Sequence, residues 1–122
     1  MEKILLIHGD EETARRVRNV ASRLKVNMIR LEHPGRDSLL EDLAQGRADS
    51  AGDPLDSEKA EPSLLLLCGL REKRLDKLLF ELRREEAAVD YKAVLTPTNR
   101  TWTLGHLYLE LQREKAAISR KS

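Results

Sequence analysis

Apolar residues in this chain alternate between two patterns: short continuous runs, and longer stretches where they recur every three or four positions. Ile4-Leu5-Leu6-Ile7 reads as a strand buried on both faces, and so does Ser63-Leu64-Leu65-Leu66-Leu67-Cys68, bounded by Pro62 and Gly69. Val26 to Leu31, interrupted by Asn27 and Arg30, suits an edge strand, and Ala93-Val94-Leu95 makes a fourth. Ala14, Val17, Ala21 and Leu24 set the stripe of a first helix, with Asp10 as its N-cap and Glu11 and Glu12 in the turn where the dipole favours negative charge. Ser38-Leu39-Leu40-Glu41 has the spacing of a capping box and predicts a short helix from about Ser38 to Gln45. Leu75, Leu78, Leu79 and Leu82 define a third helix, and Phe80 falls well off its stripe. Leu104, Leu107, Tyr108, Leu111 and Ile118 define the last, from Thr103 to about Ile118, with a thinner second stripe of Trp102, Leu109 and Ala116. No internal repeat and no heptad pattern is visible.

This β-α-β-α-β-α-β-α alternation predicts a three-layer α/β/α sandwich on a four-stranded parallel sheet, order 2-1-3-4, flavodoxin-like or receiver-like. In that arrangement the loops after the first, third and fourth strands converge at one end of the sheet, where ligands bind such folds. The length of 122 residues fits a single α/β domain spanning 1–122. Residues 46–62 hold two basic and five acidic side chains with Leu55 as their only large apolar residue, and read as a mobile acidic loop.

Composition narrows the classes. Aromatic residues make up 3% of the chain, so the core must be aliphatic and each ring is informative. A net charge of +1, from 22 basic and 21 acidic residues, argues against a general nucleic-acid or membrane-surface binder. One cysteine excludes an internal disulfide, and with no signal peptide or long apolar span the expected location is the cytoplasm.

The stretch from Lys92 to Leu107 is where chemistry concentrates. Between Tyr91 and Leu109 the only charges at neutral pH are Lys92 and Arg100. Thr96, Thr98, Asn99, Arg100 and the backbone N–H groups of a helix start suit an anion, phosphate or carboxylate, with Trp102 walling the site and Lys92 nearby. The same threonines and asparagine also suit capping and turning of the backbone, with Trp102 as a staple. Phe80, Trp102 and Leu109 are apolar positions away from the core stripes, as a homodimer or partner contact requires.

A competing reading places an enzyme at the third strand. Cys68 to Arg74 has the cysteine, five residues, arginine spacing of phosphatase and arsenate-reductase loops. Cys68 would be the nucleophile, Arg74 the oxyanion grip and His8 the base. Glu72 inside the cradle and the single glycine of the loop stand against it. Asp10, Glu11 and Glu12 are similar to the acidic cluster of receiver domains, but Cys68 and Gly69 occupy the place of the phosphoacceptor. His8, His33 and His106 share no ligand spacing, so no metal site is expected. No cofactor is implied.

From Cys68 onward the chain resembles a bacterial family of unknown function, number 3783 in that series. The resemblance rests on Leu75-Asp76-Lys77-Leu78-Leu79, on Tyr91-Lys92-Ala93-Val94-Leu95-Thr96-Pro97-Thr98-Asn99, on Trp102-Thr103, and on Leu107-Tyr108-Leu109-Glu110-Leu111. It implies that Lys92, Thr96, Asn99 and Trp102 belong to a shared pattern, and it implies no substrate. The expectation that follows is a non-enzymatic regulatory or adaptor module. It binds an anionic small molecule or a protein partner through the loop after the fourth strand; the alternatives are the cysteine enzyme or a structural subunit of an oligomer.

Overall fold

The computed structural model describes residues 2–31, 34, 36–45 and 62–120, with side chains as far as Lys115. The acidic loop up to Glu61, His33, and the side chains of Ala116 and Ile118 lie outside the described residues. The elements are β1 (Lys3–Ile7), α1 (Glu11–Leu24), β2 (Asn27–Leu31), α2 (Leu40–Ala44), β3 (Leu64–Cys68), α3 (Glu72–Arg84), β4 (Tyr91–Val94) and α4 (Leu104–Arg120). Asp10 caps α1 as its position suggests, its carboxylate accepting from the Thr13 N–H at 2.7 Å. That bond holds its pKa below the usual carboxylate value. The capping box of Ser38 and Glu41 does not form. α2 starts at Leu40 with no side-chain cap, because Ser38 and Leu39 are drawn into pairing with the start of α4.

The sheet has the expected order, β2-β1-β3-β4, but it is mixed rather than wholly parallel. β1 pairs parallel with β2, and β3 with β4, while β1 and β3 run antiparallel with Lys3 opposite Cys68 and Ile7 opposite Leu64. The reason lies in the path from β2 to β3. α2 has five residues, about 7.5 Å, and does not lead directly into β3. It is held at the end where β1 begins, since Lys3 donates to the Ala44 carbonyl at 2.6 Å. Pro62 re-enters at the opposite end, beside the end of β1, and β3 therefore runs back against it.

Helices cover both faces. α1 and α3 pack on one face around Ile4, Leu6, Leu65 and Leu67, and α2 and α4 on the other around Leu5, Ile7, Leu64 and Leu66. Each of these strand side chains is at most 1% exposed, and burying one contributes roughly 1.5–3 kcal/mol.

The antiparallel centre also creates an internal repeat that the sequence hides. The unit β1-α1-β2-α2 and the unit β3-α3-β4-α4 are related by an approximate two-fold axis, perpendicular to the sheet and passing between Leu5 and Leu66. The correspondence extends to single residues. His8 (φ 57) after β1 matches Gly69 (φ 72) after β3, and Lys25 (φ 57) after α1 matches Glu86 (φ 57) after α3. Val26 N–H bonds to Ala21 O at 2.9 Å just as Ala87 N–H bonds to Leu82 O at 3.0 Å. On the axis, Leu39 and Thr103 form an antiparallel bridge flanked by reciprocal hydrogen bonds.

Candidate functional site

The loop after β4 is built from its own side chains. Asn99 Oδ1 accepts from the Thr96 N–H at 2.8 Å, and the Asn99 N–H donates to Thr96 Oγ1 at 3.1 Å. Asn99 Nδ2 donates to the Val94 carbonyl at 3.0 Å, which ties the loop back to the strand it leaves. Two backbone bonds complete the turn, Arg100 N–H to Thr96 O at 3.0 Å and Trp102 N–H to Asn99 O at 2.9 Å. Thr103 Oγ1 accepts from the His106 N–H at 3.2 Å and caps α4.

The N–H groups at the start of α4 are not open to an anion. Leu104 N–H donates to Ser38 O and Gly105 N–H to Arg36 O, both at 2.9 Å. The mirror pair is Leu40 N–H to Trp102 O and Glu41 N–H to Arg100 O, again at 2.9 Å. Each half thus satisfies the helix start of the other. Of the residues named from sequence as ligand contacts, Thr96 and Asn99 are bonded to each other. Thr98, Arg100 and Lys92 are exposed, and Trp102 is half-buried and stacked on His106 at 4.3 Å between ring centroids. Of the interface positions, Phe80 is 52% and Leu109 47% exposed, on α3 and α4, which cover opposite faces of the sheet.

The structure does not assemble Cys68, Arg74 and His8. Because β1 and β3 are antiparallel, the loop after β1 lies at the other end of the sheet from the loops after β3 and β4, and the expected three-way convergence is absent. His8 stands about five strand residues, or about 16 Å, from Cys68. Arg74 is committed elsewhere, with Nε and Nη2 donating to the Glu2 carboxylate at 3.0 and 2.9 Å and Nη2 also to Leu24 O at 2.7 Å. The hydrogen bond from Arg74 holds the Glu2 carboxyl below its usual pKa. Cys68 is buried, and burial pushes its thiol up to about 11 against the opposing effect of Lys3. Among the described residues no group of three or more His, Cys, Asp and Glu side chains is placed to hold a metal ion.

β3, α3, β4 and most of α4 form a unit whose loop carries the Thr-Pro-Thr-Asn sequence and the tryptophan after it. Residues 63–118 match the family model of a domain of unknown function, DUF3783. The DUF3783 match thus covers one of the two halves, and the loop after β4 lies inside it. No curated protein and no solved structure matches the chain. No helix among the described residues is long and apolar enough to cross a membrane.

Sequence reasoning missed the neighbourhood of this loop. A hollow of about 340 Å³ opens beside α4, lined among others by Arg36, Asp37, His106, Leu109 and Gln112. Arg36 and Asp37 come from the first half and reach α4 only through the two-fold pairing, a long-range contact with no periodic signal. Val94, which the sequence places only within the fourth strand, is 40% exposed on the edge strand β4.

Proposed function

We propose that the chain is a non-enzymatic α/β regulatory or adaptor module of the cytoplasm that binds a protein partner through the loop after β4 and the adjoining face of α4. The observation that carries this reading is the closure of the loop upon itself and upon the first half. Its side-chain donors and acceptors at Thr96 and Asn99 are used internally, and the α4 start is satisfied by Ser38, Arg36 and Thr103. An anion would have to displace those bonds, whereas a protein surface needs only the groups that a fixed loop presents. Those groups are Thr98 and Arg100, with Leu109 on α4. Gln45 occupies the position in the first half that Leu109 holds in the second, so the fold itself does not call for an apolar residue there.

Photo-cross-linking tests the proposal. A photoreactive residue at Thr101, with an Arg18 control on the opposite face, is activated in extract of the source cells. The expected result is a discrete adduct from the Thr101 position alone, lost when Arg100→Glu or Leu109→Ser is added. An adduct of twice the chain mass would identify the partner as a second copy. The absence of any specific adduct, together with stabilisation of wild type but not Arg100→Ala by sulfate or a nucleotide, would overturn the protein-partner reading in favour of an anionic small molecule.

A further inference from the structure

The two-fold relation gives each position on α3 a counterpart on α1, and so separates the side chains the fold requires from those it does not. Lys73, Lys77, Phe80 and Arg84 recur at spacings of four, three and four and form one exposed row on α3. Their counterparts are Glu12, Arg16, Asn19 and Arg23, and three of these are tied to α3. Arg16 donates to Glu85 O at 2.8 Å, Asn19 to the Glu85 carboxylate at 3.4 Å, and Arg23 pairs with Glu81 at 3.3 Å and Glu85 at 3.1 Å. The α1 positions that correspond to Glu81 and Glu85 are Val20 and Leu24, both buried and apolar. The row on α3 therefore meets no carboxylate of α1, where its counterpart on α1 meets Glu81 and Glu85.

Lys73 and Lys77 form no ion pair among the described residues, and Arg84 reaches Glu81 at 3.6 Å while lying 5.9 Å from the Phe80 ring centroid. Phe80 is 52% exposed where Asn19 serves in α1, so packing does not explain the ring. We infer that this row docks an acidic segment of a partner protein, with carboxylates on Lys73, Lys77 and Arg84 and an apolar side chain against Phe80. Charge complementarity selects this occupant. A second copy packed row on row would bring like charges. The exposed Glu72 and Asp76 beside the row interrupt its positive charge, which separated carboxylates on a peptide accommodate and a continuous phosphate backbone or an anionic membrane does not. The surface is separate from the loop after β4, and either can fail without the other.

Selection of a random-peptide library on the immobilised full chain, followed by anisotropy titration of the recovered peptides, tests the inference. The expected peptides are rich in Asp and Glu around at least one apolar residue. They bind roughly tenfold or more weakly to Phe80→Ser and to Lys77→Glu, and unchanged to Arg100→Glu and Leu109→Ser. Both α3 substitutions are at exposed positions, and circular dichroism checks that each variant keeps its fold. Recovery of no peptide, recovery of peptides that are not acidic, or indifference of binding to both α3 substitutions overturns it. So does Phe80-dependent binding of a single-stranded oligonucleotide or of phosphatidylserine vesicles in place of the peptides.

Discussion

Cys68 closes β3 with its side chain almost fully inside the α2/α4 core, and its chemistry follows from that position. Burial raises the folded pKa to about 11 from 9.0, so the thiol stays protonated at neutral pH and is a poor nucleophile. Above pH 9 the unfolded chain releases this proton while the folded chain keeps it. Stability should therefore fall with rising pH between about 9 and 11, and the fall should be shallower in Cys68→Ala. Urea melts of the two proteins across that range check it, and equal slopes would contradict it. The spacing from Cys68 to Arg74 was legible in the sequence, but the strand direction that separates both from His8 was not. Asp10, by contrast, was fully legible, because an N-cap depends only on neighbours within its own turn.

The element that organises the candidate site is the turn from β4 into α4, which Asn99 holds through two side-chain bonds. Asn99→Ala removes both and should cost about 1–3 kcal/mol, with Asn99→Asp between it and wild type because it retains the acceptor for the Thr96 N–H. Thermal melts should show a drop of several degrees for the alanine variant. A melt indistinguishable from wild type would mean that Asn99 does not hold the loop. The sequence supplied every strand and helix in order, since each rests on local periodicity. It misplaced the start of α2, where Ser38 and Leu39 answer to α4 rather than to their own helix. The Thr-Pro-Thr-Asn sequence left capping and binding equally open, because threonine and asparagine serve both, and only hydrogen-bond partners separate the two.

At the scale of the molecule, two β-α-β-α units meet about an axis that the sequence conceals. Few positions match between the halves: Leu5 with Leu66, Leu40 with Leu104 and Arg36 with Arg100 are among those that do. Alternating strands and helices suggested a wholly parallel sheet, because the direction of β3 depends on the chain entering it beside the end of β1 rather than its start, which no local pattern encodes. The same pairing brings the two helix starts together, so that each is satisfied by carbonyls of the other half. On this rests the central claim, that the start of α4 is a sealed joint between halves and not an anion site. Amide hydrogen exchange of Leu40, Glu41, Leu104 and Gly105 tests it most directly. The account predicts slow exchange at all four in the free protein, unchanged by added sulfate or phosphate. Fast exchange at Leu104 and Gly105 in the free protein, slowed when the anion is added, would contradict it.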